Sequence, residues 1–249
     1  MRQTSRHNVV VLPDLDALSQ EAANRLLSAA EEASRTRGKF HLVLSGGGTP
    51  KHLYRKLAKP AFSSMMPWSY VHLYWGDERC VPPDHAESNY GQARDILIKN
   101  VPVRNKNIHR VNGELAPEIA ASDYSSRLRE ISGAGQEWPE FDLVLLGLGD
   151  DGHTASLFPG HLSHEEQTRP VLAVTAEYGG RPADRVTLTP LALNSARQII
   201  YLVSGRSKAE ALSAALGEQY DPIRWPSQRI KPIHGSVTWL VDEDASKSL

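Results

Sequence analysis

"FDLVLLGLGDDGHTASLFPG", residues 141–160, decides how this chain folds. From Leu143 to Leu148 every position is apolar or glycine. An antiparallel strand with one wet face alternates apolar and polar residues. A run without alternation marks a strand buried on both faces, as in parallel sheets covered by helices. The run stops at Gly149, and Asp150, Asp151 and His153 crowd the position where such a strand ends.

The flanking sequence repeats the pattern. "NVVVL" (8–12) reads as a strand, followed by a helix over 13–38 in which Leu15, Leu18, Ala22, Leu26, Ala29 and Ala33 recur at helical spacing and Gly38 supplies the stop. "FHLVLS" (40–45) is a strand. After three glycines, Thr49 is placed as N-cap, Pro50 at the first helical position, and Leu53 and Leu57 on one face. "YVHLYW" (70–75) is a strand, "GDERCVPPDHAE" (76–87) a loop, and "SNYGQARDILIKNV" (88–101) a helix capped by Ser88. "IHRV" (108–111) reads as a short strand and "PEIAASDYSSRLREIS" as a helix from Pro117. "VLAVTA", "RVTLT", "QIIYLVSG" and "VTWLVD" are strands, and "SKAEALSAALG" (207–217) is a helix. Apolar strands alternating with helices predict an α/β fold with a mostly parallel sheet. No Gly/Ser/Pro-rich linker divides the chain, so residues 1–249 are expected to form a single domain.

Composition narrows the function classes. The 249 residues are 40% hydrophobic and 23% charged, enough for a full core, and the net charge of -1 provides no field for nucleic acid or an anionic membrane. The basic group Arg104, Lys106, His109 and Arg110 reads as a solvated loop. Cys80 is the only cysteine, so no internal disulfide can form; a reducing, cytoplasmic location is expected. No window approaches the ~18 apolar residues of a membrane span, and the N-terminal run is too short for a signal peptide.

In open α/β sheets, ligands bind beyond the carboxyl ends of the strands. Four segments belong there: "SGGGTP", "GDER", "GLGDDGH" and "SGRSK". Ser45, Gly46, Gly47, Gly48 and Thr49 let a backbone approach an anion at a helix start. They match neither a Walker A loop nor a dinucleotide fingerprint. "GDER" brings acids and a guanidinium together, either as an internal ion pair or as a substrate grip. Lys208 falls in the first turn of a helix, where a cation opposes the dipole and a bound phosphate would compensate. His153 beside a carboxylate suits proton transfer at neutral pH. A zinc set of His153, His161 and His164 fits no standard metal spacing, so no metal is expected.

Taken together, "SGGGTP", "WGDERCVPPDHAESNY", "GLGDDGHTASLFPG" and "DRVTLT" resemble the 6-phosphogluconolactonases, in that order, over residues 8–244. The family usually has serine where Gly48 stands. The resemblance implies a Rossmann-like three-layer α/β/α sandwich and hydrolysis of 6-phospho-D-glucono-1,5-lactone to 6-phosphogluconate in the oxidative pentose phosphate pathway, with no cofactor. On that reading His153 is the base and Asp151 its orienting carboxylate. Ser45 to Thr49, Lys208 and Arg185 hold the phosphate, Arg79 or loop N–H groups stabilise the oxyanion, and Asp77 and Asn89 hold sugar hydroxyls. A monomer is slightly favoured as the assembly. The rival enzyme is a glucosamine-6-phosphate deaminase-like isomerase, whose pattern has Asp-Glu-Tyr where this chain has "DER" and a further glutamate after the histidine motif. A non-catalytic sugar-phosphate sensor is the rival from another class.

Overall fold

The computed structural model describes residues 8–133, 135–160 and 163–249. In chain order the elements are β1 (Asn8–Leu12), α1 (Leu15–Arg37), β2 (Phe40–Leu44), α2 (Gly48–Leu57), α3 (Pro60–Ser63), β3 (Val71–Trp75), β4 (Asp77–Arg79), α4 (Asn89–Ile96), α5 (Pro117–Ile131), β5 (Leu143–Gly147), β6 (Val171–Thr175), β7 (Asp184–Leu188), α6 (Pro190–Leu193), β8 (Gln198–Val203), α7 (Ala209–Leu216) and β9 (Ser236–Asp242). Six strands form a parallel sheet in the order β1-β9-β8-β5-β2-β3. β5 sits inside it between β2 and β8, which is why Leu143 to Leu146 are all fully buried. Helices flank the sheet, with α1 packed on β1, β2, β8 and β9, and α2 on β5 and β8.

Local chemistry sets the helix ends. Asp14 caps α1 by accepting from the Ala17 N–H, and Gly38 closes it in the left-handed region at φ 69°, returning its N–H to the Ser34 carbonyl. Leu18, Ala22, Leu26, Ala29 and Ala33 form the buried stripe the periodicity predicts, while Leu15 is only partly covered. α5 begins at Pro117, and Ser88 caps α4 by accepting from Gly91 N.

Several details depart from the sequence reading. α2 starts two residues early, with Gly47 at φ 108° as its N-cap, so Thr49 makes no side-chain cap bond and stands inside the helix. Residues 108–111 form no strand, only a single bridge between Leu73 and Ile108. Residues 77–79 form a strand rather than loop, and with β6 and β7 they make a separate antiparallel sheet in the order β4-β7-β6. Lys208 precedes α7 in a short 3-10 turn (Arg206–Lys208) instead of occupying its first turn. Among the described residues no helix is long and apolar enough to cross a membrane.

Candidate active site

The main sheet reverses its order between β2 and β5. From β2 the chain moves outward to β3, then returns to place β5 on the other side. Loops leaving the carboxyl ends of these two strands diverge and open a crevice. A cavity of about 190 Å³ lies there, lined by Ser45 to Pro50, by Gly147 to Gly149 and His153, and by residues of the small sheet and of the 204–208 segment. Tyr54 of α2 pins the end of β2: its hydroxyl donates to the Ser45 carbonyl at 2.7 Å and accepts from Ser45 N at 3.0 Å.

His153 stands over this crevice. Its Nδ1 meets Asp151 Oδ1 at 2.6 Å, and its backbone N–H donates to the same oxygen at 3.0 Å. Nε2 is left without a hydrogen-bond partner among the described residues. Burial works against the Asp151 carboxylate, but the hydrogen bonds and charge of His153 outweigh it and hold the carboxyl below its ordinary value. Residue 149 must be glycine, since a Cβ there would stand 2.1 Å from His153 Nδ1 and 2.5 Å from Asp151 Oδ1. Phe158 and Tyr178 pack on the imidazole with ring centroids 4.7 and 4.6 Å away. The Tyr178 hydroxyl donates to Asp150, which lowers the Asp150 carboxyl and helps burial push the phenol up to about 12. Ala155, on the cavity wall, is the one non-glycine residue with positive φ among the described residues, at 49°.

The small sheet supplies the facing wall. Side chains alternate along a strand, so Asp77 and Arg79 of β4 turn to the cavity while Glu78 turns away. In the β4–β7 register Arg79 lies opposite Arg185. Burial, then the charge of Arg79, pulls the Arg185 guanidinium below its ordinary value, and the group also sits over the Phe158 ring at 5.2 Å. Arg79 donates from Nη1 to the Glu87 carbonyl at 2.7 Å and to its carboxylate at 3.2 Å. "GDER" is therefore not an internal ion pair. Lys208 lines the cavity, and its charge adds to the Tyr178 hydrogen bond in lowering the Asp150 carboxyl.

Ser45 to Thr49, Asp77, Arg79, His153, Arg185 and Lys208 thus converge on one cavity. Asp151 stands behind His153, and Asn89 is buried behind Asp77, donating to its carbonyl at 2.9 Å and its carboxylate at 3.2 Å. Asn89 does not line the cavity. Of the histidines weighed as a zinc set, His161 lies outside the described residues. No group of three His, Cys, Asp or Glu among the described residues could hold a metal ion.

Three contributors escaped the sequence reading. Tyr178 and Arg181 line the cavity from the turn between β6 and β7. Their signal was "EYGGR", a Gly-Gly hairpin between two strands, with Gly179 and Gly180 at φ 59° and 67°. Asp242, at the end of β9, accepts from the Ser204 hydroxyl and from Gly205 N at 3.0 Å and so holds the "SGRSK" turn.

A family model described as glucosamine-6-phosphate isomerases/6-phosphogluconolactonase matches residues 13–239. A 6-phosphogluconolactonase of Nostoc sp. is 38% identical over 248 residues, covering 98% of this chain and 99% of that protein. Among solved structures, the devB protein matches with a TM-score of 0.87 at 34% identity, covering 97% of this chain and 99% of that one. A 6-phosphogluconolactonase from Trypanosoma brucei matches with a TM-score of 0.85 at 26% identity, covering 99% of this chain and all of that one. With the model spanning most of the chain and the relatives matched end to end, this chain belongs to the glucosamine-6-phosphate isomerase/6-phosphogluconolactonase family.

Proposed function

We propose that this site hydrolyses 6-phospho-D-glucono-1,5-lactone to 6-phosphogluconate, the lactone-opening step of the oxidative pentose phosphate pathway. The observation that carries the reading is the 2.6 Å contact between His153 Nδ1 and Asp151, which leaves Nε2 at the edge of a cavity with a cationic wall. Nε2 takes a proton from water as its oxygen attacks the lactone carbonyl, and Asp151 stabilises the imidazolium that forms. The ring C–O bond then breaks, and the same proton goes to the departing C5 oxygen. A positioned base contributes roughly 10²–10⁴-fold. Arg79 or N–H groups of the glycine loop stabilise the oxyanion, a contribution of about 3 kcal/mol for one well-aimed donor. The Ser45–Thr49 loop, Lys208 and Arg185 grip the phosphate, and Asp77 holds a sugar hydroxyl. Asn89 acts through Asp77 rather than on the sugar.

Water and lactone balance the reaction without a redox group. One buried cluster runs from Leu18 to Ala245, which supports a single domain. A monomer in the cytoplasm completes the reading, and the lone Cys80 accords with a reducing compartment. A coupled or pH-stat assay on freshly generated lactone, corrected for spontaneous hydrolysis, tests the proposal. Enzyme-dependent opening well above background is expected; binding of phosphogluconate without turnover would make the chain a sensor.

A further inference from the structure

We propose that Glu78 is a positioning residue of this site, holding Asp77 in place through Asn89; the inference rests on the lactonase reading above. Glu78 is 2% exposed and points away from the cavity, yet its carboxyl group accepts four hydrogen bonds. Oε1 takes Asn89 N at 2.7 Å and Arg79 N at 2.8 Å, and Oε2 takes Tyr90 N at 2.7 Å and the Ser88 hydroxyl at 3.2 Å. Asn89 N and Tyr90 N are the first two N–H groups of α4, which no carbonyl of the helix can reach.

Capping alone does not account for the arrangement, because Oε1 also takes Arg79 N, which belongs to β4 and not to the helix, while Ser88 caps α4 separately through Gly91 N at 2.9 Å. Nor does charge neutralisation: Arg79 pairs with Glu87, and Glu78 has no ion-pair partner among the described residues. What the carboxyl group does is tie β4 to the start of α4 at the residue whose side chain orients Asp77. Asn89 Nδ2 reaches the Asp77 carbonyl and Oδ1, while Ser156 donates to Oδ2 at 2.7 Å. The same amide lies against the glycine loop so tightly that a Cβ at residue 46 would stand 2.0 Å from Asn89 Oδ1. A shift at the start of α4 therefore moves the Asp77 wall and the glycine-loop wall together.

The test is a double-mutant cycle of Glu78→Gln and Asn89→Ala, read as kcat per folded molecule on phosphogluconolactone. In Glu78→Gln the side-chain amide must set an NH₂ against one of the two donor pairs, which opens one side of the clamp. Asn89→Ala leaves the clamp on the backbone intact and removes the side chain that links it to Asp77 and packs on Gly46. Each single variant is expected to lose roughly 10- to 100-fold, the range for removing a group that orients a site residue. The double variant should be no worse than the poorer single variant. Wild-type kcat in Glu78→Gln with only a lowered Tm, or losses that multiply in the double variant, would overturn the proposal. If Glu78→Gln does not fold, wild-type kcat in Asn89→Ala overturns it alone. If the wild-type protein opens no lactone, the functional reading fails separately. The positioning role is then read from affinity, with both variants weakening 6-phosphogluconate, which meets both walls, more than inorganic phosphate, which meets the glycine loop alone; equal weakening of both ligands, or of neither, overturns it.

Discussion

Arg79 and Arg185 stand directly opposite each other across the β4–β7 pair, 5% and 3% exposed, cation against cation. Arg79 Nε and Arg185 Nε and Nη2 are buried without a hydrogen-bond partner among the described residues. Like charges opposite each other destabilise a sheet, and each unpaired buried donor costs about 1–3 kcal/mol. Such an arrangement suits a protein that meets an anion at this point. Arg185→Met should therefore hold or raise the Tm of the free protein, since the apolar chain still packs on Phe158. It should also raise KM for the phosphorylated lactone by roughly tenfold or more. A Tm lowered by several degrees with KM unchanged would make Arg185 structural.

Lys208 and the glycine loop are assigned to the phosphate, which separates recognition from chemistry. A charge-assisted contact to phosphate contributes about 1.5–3 kcal/mol and has nothing to act on when the phosphate is absent. Lys208→Ala should thus lower kcat/KM on phosphogluconolactone by roughly 10- to 100-fold and leave unphosphorylated gluconolactone nearly unchanged. Equal losses on both substrates would remove Lys208 from phosphate recognition.

The elements that local pattern determines were legible in the sequence. β5 announces itself by an uninterrupted apolar run, α1 by its stripe and Gly38, and α5 by Pro117. The three-residue strand β4 was not legible, because its only reason to be a strand is β7, more than a hundred residues away. His153 and its carboxylate could be found, since only Gly152 separates them in the chain. Asn89 was assigned to the sugar because its type fits, and only the packing against Gly46 and Asp77 puts it behind the wall. Tyr178 and Arg181 escaped because a hairpin turn gives no sign of what it overhangs.

Three histidines at the amino ends of β2 and β3 and beside them make stability fall in acid. His41 bonds to the Tyr74 hydroxyl at 2.8 Å, and His72 to His109 at 3.0 Å with the rings stacked. Burial first, then neighbouring positive charge, depresses His41 to about 3 and His72 and His109 to about 4, from 6.5. Below 6.5 the unfolded chain takes up protons that the folded chain refuses, so this contribution is full above pH 6.5 and is lost as the pH falls toward 4. Tm should drop through that window, and His72→Phe with His109→Phe should flatten the drop. An unchanged slope in the double variant would contradict the assignment.

The central claim is that His153 Nε2 activates the water. The measurement is kcat of His153→Ala on freshly made 6-phosphogluconolactone, beside the affinity of the same variant for 6-phosphogluconate. Losing the base should lower kcat by ~10²-fold or more and leave product affinity similar, because the phosphate grip lies on other loops. Turnover within a few-fold of the wild type would remove His153 from the mechanism.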